Sequence, residues 1–67
     1  MNERENKGDF RYYLGEPVNV GAIQGVVMGA AAFGYRSDRF EVEYIDDDGF
    51  PARRWFDEHS ISPTIKN

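Results

Sequence analysis

The chain has 67 residues, ten of them aromatic, no cysteine, and a formal net charge of −4 from 8 basic and 12 acidic side chains. That length allows one domain, near the lower limit for a self-sufficient core, so aromatic bulk or a dimer interface has to do what a staple does in other small proteins. The missing cysteine excludes disulfides and thiolate metal sites, one histidine (His59) cannot build a His-rich metal site, and the acidic balance argues against a general nucleic-acid binder.

Residues 1–9 (MNERENKGD) carry charges and no apolar residue after the first methionine. They read as a flexible N-terminal arm and not as a signal peptide, which would need an apolar h-region. The longest apolar stretch, residues 26–33, contains Gly29 and is too short to span a bilayer. The expected location is therefore cytoplasmic, and a cysteine-free chain fits a reducing compartment.

The folded part is expected over residues 10–62, with residues 63–67 as a C-terminal tail. After the Gly15-Glu16-Pro17 punctuation, residues 17–20 (PVNV) alternate as a first strand. Gly21 breaks it, and residues 23–30 (IQGVVMGA) form a β-branched second strand. Gly25 and Gly29 inside it mark a bulge or a close backbone approach and let it coil. The alanines at 30–32 read as the end of that strand and a loop, and residues 35–39 (YRSDR) as a polar loop.

Residues 39–45 (RFEVEYI) give the clearest strand, with Phe40, Val42 and Tyr44 on one face and Arg39, Glu41 and Glu43 on the other. The acidic turn Asp46-Asp47-Asp48-Gly49 then leads into a fourth strand over residues 50–56 (FPARRWF). With Asp47-Asp48-Gly49 as the loop and Gly49 left-handed, Phe40 faces Phe56 and Glu43 faces Arg53, pairing like with like on both faces. Pro51 places that strand at an edge. Residues 57–60 suit one 3₁₀ turn, capped by Asp57, before Ile61 enters the core.

The fold expected is mostly β: a small barrel of about five short antiparallel strands with a 3₁₀ turn near the C-terminus. The series Val18-x-Val20, Gly25-Val26-Val27, Phe40-x-Val42-x-Tyr44 closed by Asp-Asp-Gly, Arg54-Trp55-Phe56-x-Glu58 and Ile61 resembles SH3-like small barrels. It looks most like their Tudor and KOW branch and like short phage or bacterial proteins of that layout. The resemblance covers residues 10–62 and implies binding rather than catalysis. Two features depart from it. The loops are acidic where KOW modules present a basic loop, and the rim aromatics available for a Tudor-like cage are Tyr35, Phe50 and Trp55.

Candidate binding residues are Tyr35, Arg36, Arg53, Arg54 and Trp55. Arg53-Arg54 beside Trp55 is a clamp for phosphate or carboxylate with a stacking plane, or else supplies cross-strand partners for Glu41 and Glu43. Asp46, Asp47 and Asp48 lack the further ligands of a calcium loop and read as a solvated hairpin tip. Asp57, Glu58, His59 and the nearby serines match no nucleophile motif, and the glycines match no phosphate loop, so neither an enzyme activity nor a cofactor is expected. The expectation is a non-enzymatic module that docks a protein partner, and the resemblance extends it to a phage-encoded protein acting on a host factor. A nucleic-acid-binding barrel is the alternative, and a homo-oligomer whose interface completes the core is a third.

Overall fold

A computed structural model describes residues 10–34 and 36–64; the N-terminal arm, Tyr35 and residues 65–67 lie outside the described residues. The chain forms β1 (Pro17–Val20), β2 (Ile23–Phe33), β3 (Arg36–Ile45), β4 (Pro51–Asp57), a 3₁₀ turn (Glu58–Ser60) and β5 (Ser62–Pro63). All pairings are antiparallel, in one sheet of order β4-β3-β2-β1-β5.

The sheet is mostly β as expected but open, not a cylinder closed by its ladder. After β4 the 3₁₀ turn carries the chain to the far side of β1. There β5 has two residues, pairing Ser62 with Asn19 and Pro63 with Val18, and Thr64 Oγ1 donates to Asn19 Oδ1 over 2.8 Å. So short a strand spends its backbone on β1, and no pairing between β4 and β5 exists among the described residues.

Side chains cover the concave face instead. Val18, Val27, Phe40 and Val42 are fully buried there, joined by Tyr12 and Ile61, with Phe10, Val20, Ala30 and Phe56 packed around them. Phe10 and Tyr12 meet Phe40 edge-on, at ring-centroid distances of 5.9 and 5.2 Å. The buried Tyr12 hydroxyl donates to the Ile61 carbonyl at 2.9 Å, which satisfies the one polar atom of that ring.

β2 is longer than its sequence pattern suggests, and β3 begins earlier. Ala30 pairs with Phe40, Ala31 with Arg39 and Phe33 with Arg36, so the stretch expected as a polar loop is strand from Arg36 onward. Small alanines opposite polar residues carry no alternation, and the ladder itself stabilises this part. A register shift between Val27 and Gly29 makes Met28 an extra residue, a β-bulge that re-aims β2. Gly25 answers to close approach: a Cβ there would sit 2.5 Å from Val42 Cγ1 and 2.6 Å from the Glu43 carbonyl oxygen.

The β3–β4 hairpin has the expected register, with Phe40 opposite Phe56 and Glu43 opposite Arg53. Its loop is Asp47-Asp48-Gly49. Gly49 N–H donates to the Asp46 carbonyl at 2.9 Å, Asp46 N–H donates to the Phe50 carbonyl at 2.8 Å, and Gly49 takes φ +87°. Asp46 is a turn residue: its Oδ1 accepts from the N–H groups of Asp48 and Phe50, both at 2.9 Å.

Phe40→Ala is expected to cost about 3–5 kcal/mol, enough to unfold so small a domain. Gly25→Ala forces a methyl against backbone and should cost about 1–3 kcal/mol. Glu41→Ala, on the other face of the same strand, should stay near 1 kcal/mol or below. Urea denaturation of the three variants reads these values, and a Glu41→Ala loss equal to that of Phe40→Ala would refute the assignment of faces.

Candidate functional site

The convex face of the sheet is set by the same alternation that fills the core. Asp46 and Phe50 form a hydrogen-bonded pair, so the pairs two, four and six residues along, ending with Phe40 and Phe56, are hydrogen-bonded as well. Glu43–Arg53 and Glu41–Trp55 are the intervening pairs, whose Cα atoms approach to roughly 4.5 Å and whose side chains are therefore closest. All four side chains project from the convex face.

Trp55 is 45% exposed, so it stands on the surface and not in the core, while Phe56 packs on the core side. Its ring leans across β3 toward β2, where a Cβ on Gly29 would lie 3.4 Å from Trp55 Cη2 and 3.3 Å from Glu41 Oε1. Gly29 thus leaves room for the far edge of the indole, and Gly29, Glu41 and Trp55 make one row across three strands. On β2 beside this row the exposed Val26 and bulged Met28 extend the apolar surface. Val26 pairs with Glu43, and Arg53 Nε lies 3.9 Å from Glu43 Oε2, with both side chains well exposed. Such a pair contributes little to stability.

The candidate residues read from the sequence divide. Arg53 and Trp55 share the convex face, but Arg54 has the opposite parity and faces the side of Phe56. A double-arginine clamp over one ligand is therefore not formed. Arg53 meets Glu43, the cross-strand alternative. Arg36 opens β3 five residues before Glu41, roughly 17 Å along the strand from the Trp55 row, and does not join it. Phe50, 66% exposed, sits at the hairpin tip. Val26, Met28 and Gly29 were missed from sequence as site residues, although the glycine-flanked strand they occupy was visible.

A second cluster surrounds His59. Asp57 caps the 3₁₀ turn, its Oδ1 accepting from His59 N–H at 2.9 Å and lying 3.1 Å from His59 Nδ1. Ser37 Oγ is 3.4 Å from the same Nδ1, and Glu58 Oε2 is 3.5 Å from Nε2. A hydrolytic triad needs serine on one ring nitrogen and carboxylate on the other. Here Ser37 and Asp57 share Nδ1 of an exposed ring and Glu58 stands at Nε2, so serine and carboxylate compete for one nitrogen. What the short contacts build is the cap on the 3₁₀ turn, through Asp57 and the His59 N–H. Among the described residues no three His, Cys, Asp or Glu side chains are placed to hold a metal, and no helix is long and apolar enough to cross a membrane. No protein-family model, curated protein or solved structure matches the chain.

The Asp57 carboxyl titrates below its ordinary value of 3.8, chiefly through the His59 backbone N–H; slight desolvation opposes this, and the His59 ring and Arg39 reinforce it. With the folded pKa below the unfolded one, the carboxylate's contribution is present above pH about 4 and lost as pH falls through the folded pKa. Asp57→Asn keeps the capping oxygen and removes the titration, so its melting temperature should fall less between pH 4 and pH 2 than that of the parent chain. Equal slopes in thermal melts would show that Asp57 plays no part in acid sensitivity. Separately, Trp55 emission should be red-shifted and readily quenched by acrylamide; blue-shifted, protected emission would place the indole in the core.

Proposed function

We propose that the chain is a small non-enzymatic interaction module on an SH3-like scaffold, docking a protein partner on the convex face of β2, β3 and β4. The strand order β4-β3-β2-β1-β5, with a 3₁₀ turn between β4 and β5, supports the SH3-like assignment. The observation that carries the functional reading is the half-exposed Trp55 reaching over Gly29, on a face that also holds Val26 and Met28 and the carboxylates of Glu41 and Glu43. A rigid indole at low entropy cost is the side chain most enriched at binding hot spots. Two carboxylates beside it, in a chain of net charge −4, select a partner segment that brings lysine or arginine.

Nucleic acid is the weaker reading. Arg53 and Arg54 lie on opposite faces, Arg53 already meets Glu43, and two carboxylates occupy the middle of the aromatic face, where phosphates would be repelled. That the protein is phage-encoded and acts on a host factor is a further proposal supported by the resemblance alone.

Immobilised wild-type chain should recover a protein partner from a native lysate at low salt, and Trp55→Ala should lose it, at a cost of about 2 kcal/mol or more. Circular dichroism of the variant should be unchanged. Recovery of the same protein by both baits, or of none above background, would end this reading.

A further inference from the structure

β4 is an edge strand of seven residues, and its outer edge pairs with no strand among the described residues. The hydrogen-bonded pairs with β3 use the backbone of Ala52, Arg54 and Phe56. The N–H and C=O groups of Arg53 and Trp55 and the N–H of Asp57 therefore point away from the sheet, while the Asp57 carbonyl, at the N-cap, opens the 3₁₀ turn. The Trp55 ring leans inward toward Gly29, so the largest side chain of the strand leaves that edge uncovered. Edges of this kind are usually blunted. β5 is blunted, being two residues long and including Pro63. On β4 the one proline, Pro51, stands at the first position.

We propose that a second copy of this chain pairs with β4 antiparallel, about a two-fold axis at Trp55, to make one continuous ten-stranded sheet. The edge is complementary to itself in this register. Trp55 faces Trp55 of the second copy, and Arg53 faces Asp57, so opposite charges meet twice. On the concave side Arg54 faces Phe56, and no like charges are opposed. The two Trp55 residues exchange a pair of backbone hydrogen bonds and each Asp57 N–H donates to the Arg53 carbonyl of the other copy, about four in all. Pro51 falls beyond the paired stretch and obstructs nothing. The alternative register, shifted by two residues, sets Arg54 against Arg54 and brings Pro51 into the ladder. The occupant is a second copy because that charge pattern, basic at 53 and acidic at 57, is matched by its own reversal. With six buried hydrophobic residues among those described, the core is small, and pairing with a second copy would add to its stability.

Sedimentation velocity across a wide concentration range tests the pairing. A reversible monomer–dimer equilibrium is expected. Arg53→Pro sets a proline ring at the outer edge in place of an N–H, without touching the β3 ladder, and should raise the dissociation constant roughly tenfold or more with the β spectrum retained. Because the chain has no cysteine, a single one reports proximity cleanly. In the dimer, Trp55→Cys places two thiols across a hydrogen-bonded pair with Cα atoms about 5.5 Å apart, within disulfide range. It should oxidise to a covalent dimer far faster than Ile45→Cys, a position on β3 that is more exposed, at 63% against 45%. A monomer at every concentration, a folded Arg53→Pro variant that dimerises as before, or equal oxidation rates of the two cysteine variants would each overturn the proposal. Should Arg53→Pro unfold, the cysteine pair decides. Neither measurement needs another protein, so this result stands apart from the partner reading.

Discussion

Phe40 is where the segment before β1 meets the segment beyond β4, and the open sheet depends on it. An antiparallel sheet with one apolar face must cover that face or remain wet, and the described residues include no α-helix to do so. Phe10 and Tyr12 arrive from before β1, Phe56 from β4 and Ile61 from beyond the 3₁₀ turn, all against the side chain in the middle of β3. The Tyr12–Ile61 hydrogen bond links residues 49 positions apart across that cluster. It joins what flanks the sheet, as a closing ladder would, yet is made by one hydroxyl. No buried side-chain polar atom among the described residues lacks a partner, so the small core carries no polar penalty.

The hairpin of β3 and β4 was legible because three independent signals agreed on it. Alternation set the faces, Asp-Asp-Gly set the loop, and Glu43 with Arg53 set the register. The cap at Asp57 and the burial of Ile61 then followed from position alone, whereas a bulge near Pro51 would have turned Trp55 inward, and its exposure is read from the structure. The other half of β3 was not legible. Residues 36–39 have no apolar alternation, and Ala31, which pairs with Arg39, has no side chain long enough to announce a face. That ladder is stabilised by tertiary pairing, which local propensity does not encode. Nor does alternation say whether a sheet closes, since an open and a closed sheet bury the same residues on the same face. The separation of Arg53 from Arg54 is different: period 2 already places neighbours on opposite faces, and reading them as one clamp set that rule aside.

Glycine has two uses in β2, and they divide the work of the sheet. Gly25 faces the core, where the absence of a Cβ lets β2 press against Val42 and the Glu43 backbone. Gly29, beyond the bulge, faces outward, where the same absence makes room for an indole. Met28, the extra residue between Val27 and Gly29, moves the second glycine onto the convex row of Glu41 and Trp55. Without that insertion the residue aligned with Glu41 would be Met28, and the Trp55 ring would meet a thioether side chain where Gly29 now leaves room for it. The bulge thus belongs to the site as much as to the curvature.

The three-residue loop at Asp47-Asp48-Gly49 settles a further matter, because on an edge strand the face of a side chain and the direction of its peptide are coupled. With Asp46 and Phe50 as the hydrogen-bonded closing pair, the residues of β4 that project from the convex face also turn their N–H and C=O groups outward. Arg53 and Trp55 are therefore available twice, by side chain on the surface and by backbone at the edge. Slipping the register by one residue would turn Trp55 into the core and aim the backbone of Arg54 and Phe56 at solvent instead. Gly49, at φ +87°, holds the loop at this length, since a residue with a Cβ is strained there. The proposed partner surface and the proposed pairing edge thus descend from one turn.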